Sequence, residues 1–218
     1  MRKSKTLIAI PSPQEWKILY PKVPYSKTVE EPYAQNALFD VACVGIGIVN
    51  FVGNLTKLIC TKSYSRVIIA GIAGALPFSG LQTADIVRVD EECTGDIGYW
   101  NKDEFQSYFP KPQIVKATPK KFAPKEIASL PGVRGMSVNT MTSSKQVLEY
   151  RAKFYGAKIE AMEGVAAFML AQTLGIQIFE IRTVSNLTGD LDETRWNIEQ
   201  SLLNLQSSVL NPIIEAVK

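Results

Sequence analysis

The sequence predicts an α/β fold, a single domain over residues 1–218 in which a central mixed, mainly parallel sheet is flanked by helices. Three observations carry that prediction. Short apolar runs recur along the whole chain, segments with helical spacing separate them, and 218 residues suffice for one large core without disulfides. Strands buried on both faces read as continuous apolar runs, and their alternation with helices favours parallel pairing.

The first strand is expected at residues 6–10, where four of the five residues, 7–10, are apolar in a row. Residues 21–32, rich in Pro, Lys and Tyr, read as an excursion between strand units. Further apolar runs predict strands at 38–44, 66–70, 84–90, 133–138, 158–161 and 177–184. Helical spacing marks 49–61, 144–154 and 163–174, with Ser144 or a near neighbour as cap of the second. The polar, aromatic stretch 94–112 contains Tyr99, Trp100, Phe105, Tyr108 and Phe109 and reads by itself as a surface loop with its own small cluster. A last amphipathic helix is expected from about 192 to 217, with Leu202, Leu203, Leu205, Val209, Leu210 and Ile213 on its apolar side. Pro212, which has no N–H to donate, is expected to bend it. No repeat or low-complexity tract interrupts the order.

Composition removes several function classes. Net charge is only +3 and the basic residues are scattered, so neither nucleic acid nor membrane is expected as a partner. The start Arg2-Lys3-Ser4-Lys5 reads as a solvated terminus. The apolar run 7–10 is too short for a signal peptide, and no stretch is long enough to span a bilayer. Cys43, Cys60 and Cys93 form neither a CxxC pair nor a disulfide framework, which implies a reducing, cytoplasmic setting. Cys43 and Cys60 lie in apolar stretches and are expected in the core. The chain has no histidine, which removes Ser-His-Asp and Cys-His systems, histidine bases and nearly all zinc sites. No metal and no cofactor are expected; carboxylates, amides, hydroxyls and backbone groups must carry any chemistry.

Polar groups gather at predicted strand ends. Gly45-Ile46-Gly47 follows a strand and precedes a helix, but lacks the third glycine of a dinucleotide fingerprint. Gly71-Ile72-Ala73-Gly74-Ala75 follows the strand 66–70, and its small residues suit either close approach of a ligand or tight packing. Glu160-Ala161-Met162-Glu163-Gly164 puts acids at a strand end and helix start, where the helix N-terminus favours the ionised form. Two carboxylate oxygens there suit a vicinal diol such as that of ribose. Arg182-Thr183-Val184-Ser185-Asn186 closes the last strand. Spacing alone points only to a ligand site at this edge.

Together these segments resemble the nucleoside phosphorylase and nucleosidase superfamily over nearly the whole chain. The resemblance rests on 69–76 followed by Leu81-Gln82-Thr83-Ala84-Asp85-Ile86-Val87, on Ala161-Met162-Glu163-Gly164, and on Ile181-Arg182-Thr183-Val184-Ser185-Asn186. Within it, Val44-Gly45-Ile46-Gly47-Ile48-Val49-Asn50, Gly95-Asp96-Ile97-Gly98 and Arg195-Trp196-Asn197-Ile198 resemble the futalosine hydrolase family. The fold implied is nucleoside phosphorylase-like, and the activity is hydrolysis of futalosine to hypoxanthine and dehypoxanthine futalosine, in menaquinone biosynthesis. A purine nucleoside phosphorylase, a methylthioadenosine, adenosylhomocysteine or aminofutalosine nucleosidase, and a non-catalytic nucleoside-binding protein are the alternatives.

The resemblance also implies roles. Glu163 holds the ribose diol and Met162 packs beside the sugar. Glu15 orients the attacking water, with Gln14 as the neighbouring choice, and Ala73 and Gly74 supply backbone contacts. Asn186, oriented by Ser185, reads the base: a carboxamide is no acid near neutrality, but offers an acceptor to a protonated N7 and donors to O6. Arg182 braces the segment. Thr140 and Met141, within 139–142, are placed in the purine pocket, and Arg195 or Lys102 are candidates for a substrate carboxylate. The aromatic stretch becomes a specificity element, and the assembly a homodimer or higher homo-oligomer.

Overall fold

The structure, a computed structural model, describes residues 5–216, so Arg2, Lys3 and Ser4 of the expected solvated terminus and Val217 lie outside the described residues. In chain order the main elements are β1 (Lys5–Ile10), α1 (Pro13–Leu19), β2 (Tyr33–Ala34), β3 (Phe39–Cys43), α2 (Ile48–Thr61), β4 (Tyr64–Ala75) and β5 (Ile86–Glu92). A hairpin of β6 (Gly98–Asn101) and β7 (Glu104–Ser107), then β8 (Val115–Lys116) and α3 (Lys125–Ala128), lead to β9 (Gly132–Ser137). The chain ends through α4 (Lys145–Tyr155), β10 (Ile159–Ala161), α5 (Gly164–Leu174), β11 (Gln177–Leu187), α6 (Ile198–Leu205) and α7 (Asn211–Glu215).

The strands form one mixed sheet in the order β10-β9-β5-β11-β4-β1-β3-β2, with β8 beside β5. Pairings of β1 with β3 and β4, of β9 with β5 and β10, and of β11 with β4 are parallel. Strand β10 also pairs antiparallel with β4, which closes β10, β9, β5, β11 and β4 into a five-stranded barrel. Alternation along each strand divides the core. Leu7, Ala9, Val67 and Ile69 pack under Phe51, Leu55 and Leu58 of α2 and Phe168 of α5. Ile8, Ile10, Ile68 and Ala70 pack under Trp16 of α1 and Leu202, Leu205, Leu210 and Ile213 of the C-terminal helices. A third cluster seats Leu148, Ala152 and Tyr155 of α4 on Met136 and Val138.

Several expectations are corrected. The strand expected at 66–70 runs on through 71–75, because β11 pairs along these residues on one side and β10 takes up Gly74 and Ala75 on the other. The strand expected at 84–90 runs two residues later, since Ala84 sits in a turn at φ 72°. Helix α1 was not anticipated, although Ser12 caps it and Pro13 opens it. The long final helix is broken: a short 3-10 turn at Glu193–Arg195, then α6, a π-helical turn at Gln206–Leu210 and α7 beginning beside Pro212. The wider turn absorbs the ring and missing N–H of Pro212. Part of 94–112 is the β6–β7 hairpin rather than a loop. Cys43 is buried as expected, but Cys60 is exposed on α2. Among the described residues, no helix is long and apolar enough to cross a membrane.

Candidate active site

A cavity of about 150 Å³ opens where the ends of β1, β4, β10 and β11 meet, and Glu15, Glu163 and Asn186 all line it. Ala73, Gly74, Met162, Ser185 and Met141 line it as well, as does Gln14. Thr140 does not: it is exposed, and its carbonyl faces Arg151 at 3.5 Å. Val138 and Thr142 take the place expected of it.

Glu15 owes its position to the start of α1. Ser12 accepts from the Glu15 N–H, while its own N–H and hydroxyl donate to Glu15 Oε2 at 2.8 and 2.6 Å. This reciprocal cap turns the carboxylate back towards the sheet. Its other oxygen accepts from the Ile72 N–H at 2.8 Å. The side chain then lies against bare backbone: a Cβ at Gly71 would sit 2.5 Å from Glu15 Oε1 and 3.0 Å from Arg182 Nη1. Burial pushes Glu15 up to about 7, against the opposing pull of Ser12, Arg182 and the Ile72 N–H, with Glu163 adding to the rise.

Glu163 is the N-cap residue of α5, but its side chain makes no capping bond. Its hydrogen bonds come from elsewhere in the fold. Arg182 Nη2 donates to Oε2 at 2.9 Å, and the Gly47 N–H donates to Oε1 at 3.1 Å. Gly47 adopts φ 84°, a left-handed conformation that glycine takes without strain. The guanidinium of Arg182 is buried and also binds Glu180 Oε1 at 2.7 Å and the Ile72 carbonyl at 3.1 Å. It is the one cation among the described residues lining the cavity, and it is already committed.

Asn186 is aimed by a bulge. The pairing of β11 with β4 slips between Val184 and Asn186, leaving Ser185 as the extra residue and Asn186 opposite Gly74. The Ser185 hydroxyl donates to Asn186 Oδ1 at 2.8 Å, and Asn186 Nδ2 donates to the Leu187 carbonyl at 3.1 Å. One amide hydrogen and one oxygen lone pair are left over. On the other side of Gly74, Glu160 pairs in the same row. Glu160 also lines the cavity; Arg151 donates to its Oε2 at 3.0 Å, and burial raises its carboxyl while Arg151 opposes the rise. Reading the sequence placed Glu160 beside Glu163 without giving it a role.

Other expected contacts are absent. Arg195 is tied to Asp190 and Asp192, and Lys102 sits in the β6–β7 turn at φ 56°; neither lines the cavity. No residue of 94–112 lines it either. The hairpin reaches the site only at second hand, through Phe105 under the guanidinium of Arg151.

Comparison with known proteins places the chain in a family and agrees with the fold. The sequence profile described as "Phosphorylase superfamily" matches residues 19–214. A futalosine hydrolase from Acidothermus cellulolyticus is 29% identical over 184 residues, covering 78% of this chain and 73% of that protein. Two solved Helicobacter pylori proteins share the fold at 17% identity. One is a 5'-methylthioadenosine/S-adenosylhomocysteine nucleosidase bound to butyl-thio-DADMe-Immucillin-A, with a TM-score of 0.77 over 99% of this chain and 100% of that one. The other is a futalosine hydrolase, with a TM-score of 0.76 over 98% of each.

Proposed function

The chain belongs to the phosphorylase superfamily, and on that premise we propose that it hydrolyses the N-glycosidic bond of futalosine, releasing hypoxanthine and dehypoxanthine futalosine for menaquinone biosynthesis. Glu15 is the observation that carries this reading. A buried carboxyl poised near 7 at the cavity wall suits a base that takes a proton from water. A phosphate nucleophile would need a free cation, and Arg182, the cavity's one cation among the described residues, is held by Glu163 and Glu180.

In this mechanism the C1′–N9 bond breaks with its electron pair leaving on the base, while positive charge builds on the sugar. Glu163 accepts from the 2′- and 3′-hydroxyls and stabilises that charge, and Met162 packs beside the ring. Water, aligned by Glu15 and the backbone at Ala73 and Gly74, forms the new C1′–O bond as Glu15 takes its proton. Asn186 Oδ1 accepts from N7–H of the departing base, which takes its proton from solvent, and Nδ2 donates to O6. Across Gly74, Glu160 offers an acceptor to the N1–H of a 6-oxopurine, whereas adenine presents a lone pair there. Val138, Met141 and Thr142 line the same pocket.

We also read the enzyme as cytoplasmic and homodimeric, the latter because Ile46, Met141 and Leu191 stand exposed around the mouth. Sedimentation analysis tests the dimer. Incubation with futalosine, inosine and methylthioadenosine, with and without phosphate, tests the activity. Hypoxanthine from futalosine without phosphate is the expected result. A phosphate requirement would make the enzyme a phosphorylase, efficient adenine release would make it a nucleosidase of the methylthioadenosine type, and binding without turnover would leave a nucleoside-binding protein.

A further inference from the structure

Behind Glu163 lies a second pair of acids that the reaction above does not touch. Glu92 on β5 and Glu180 on β11 are both 0% exposed, on neighbouring antiparallel strands. Each has one satisfied oxygen: Ser137 Oγ–H donates to Glu92 Oε2 at 2.9 Å, and Arg182 Nε–H donates to Glu180 Oε1 at 2.7 Å. The remaining oxygens, Glu92 Oε1 and Glu180 Oε2, are buried without a hydrogen-bond partner. They converge on the same empty spot beside Gly164. A Cβ there would run into Glu180 Oε2 and lie 2.6 Å from Glu92 Oε1.

Two acceptors facing each other in a dry interior repel, and each lacks a donor. The neighbourhood holds Glu15, Glu163, Glu180 and Glu92 around one guanidinium, so it is short of positive charge. A single proton on one of the facing oxygens removes both deficits. Glu180 binds Arg182 directly and is the better anion. Glu92 has only the Ser137 hydroxyl on its satisfied side, a partner that a neutral acid keeps.

We propose that Glu92 is held as the neutral carboxylic acid and donates its Oε1–H to Glu180 Oε2, so that the pair acts as a positioning device for Arg182 and Glu163. The hydrogen bonds then run without a gap. The Val165 N–H donates to Ser137 Oγ at 2.9 Å, Ser137 donates to Glu92, and Glu92 donates to Glu180. Arg182 spans Glu180 and Glu163, and the Gly47 N–H closes the chain on Glu163 Oε1. The groups facing the acid pair are Ser137 from β9, Arg182 from β11 and Glu163 at the head of α5; Gly135 and Gly164 contribute no side chain. Burial and the charge of Glu180 push Glu92 well above the usual carboxylate range, in the sense required.

Only the link to Glu163 rests on the nucleosidase reading; the proton's position does not. Infrared spectra of the intact protein at pH 8 test it directly. A protonated carboxylic acid band is expected in the wild type and absent in Glu92→Gln. In Glu92→Gln the amide N–H replaces the O–H, so kcat/KM should stay within about threefold of wild type. Glu180→Gln strips Arg182 of an anion and shifts its hold on Glu163, so KM for the nucleoside should rise by about tenfold or more. Absence of the acid band in the wild type overturns the proposal, as does a Glu92→Gln variant as impaired as Glu180→Gln. If the band is present but no nucleoside is cleaved, the acid pair stands and the assigned function falls.

Discussion

Glu15 is pulled in two directions. Burial favours its neutral form, while the Ser12 hydroxyl, the Arg182 charge and the Ile72 N–H favour the anion, and the balance falls at about 7. As a base it works only when ionised, so kcat/KM should fall about tenfold per pH unit below that value. Ser12→Ala removes a donor to the anion and should move this limb to higher pH; a limb that stays in place would separate the profile from Glu15. Glu163→Gln keeps the shape but loses the charge opposite Arg182 and the cationic sugar, so turnover should drop by about 10²-fold or more. Near-normal rates would remove Glu163 from the mechanism. Asn186→Asp supplies an acid for N7 and should shift preference towards adenine nucleosides, measured as the ratio of kcat/KM for methylthioadenosine and inosine. These three residues were legible because they sit in recognisable segments at strand ends. Glu92 and Glu180 were not, and Glu160 was placed without a role, although Phe179-Glu180-Ile181 held a clue: a lone acid between large apolar residues of a buried strand is itself buried, and a buried acid needs a partner.

At the scale of elements, the site depends on where strands stop and slip. The capping box of α1 stands in the sequence as Ser12-Pro13-Gln14-Glu15, so this helix was readable from its cap although it is too short to show a helical period. The extension of β4 was hidden for a different reason: Gly71 and Gly74 look like loop residues, yet they keep the strand and omit side chains where Glu15 and Thr188 approach. Gly71→Ala tests that account. Its Cβ would displace the Glu15 carboxylate from Arg182 and the Ile72 N–H, with a stability loss of about 1–3 kcal/mol. Activity should fall far more than thermal stability, and a variant with wild-type turnover would show that the close approach is dispensable. The bulge at Ser185 left no trace in the pattern of apolar residues, because Val184 and Asn186 fit either register.

The whole molecule brings Glu15, near one end of the chain, against Gly71 and into one cavity with Glu163 and Asn186, and closing the sheet through β10 and β4 completes that cavity. Alternation of strands and helices predicted the layers, whereas closure depends on one short antiparallel pairing that periodicity cannot reveal. Closure also concentrates Glu15, Glu92, Glu160 and Glu180 in a small buried volume, and all four have raised folded-state pKa values with burial as the first cause. The sign of the consequence follows from linkage. Above the ordinary carboxylate value of 4.5 the folded state holds protons that the unfolded state has released, so stability falls as pH rises through the window up to the folded values. For Glu15, titrating at about 7 instead of 4.5, the full effect is on the order of 3 kcal/mol. Glu30 and Asp192 have lowered values, but both are exposed and screened, so the buried acids set the trend. Calorimetry from pH 5 to pH 8 (about one unit beyond Glu15) should therefore show Tm decreasing while kcat/KM increases. Glu15→Gln, which cannot titrate, should flatten the Tm slope. A wild-type Tm that climbed across the same interval would mean that these acids are better solvated than their packing implies, and with it the base at Glu15 would lose its physical footing.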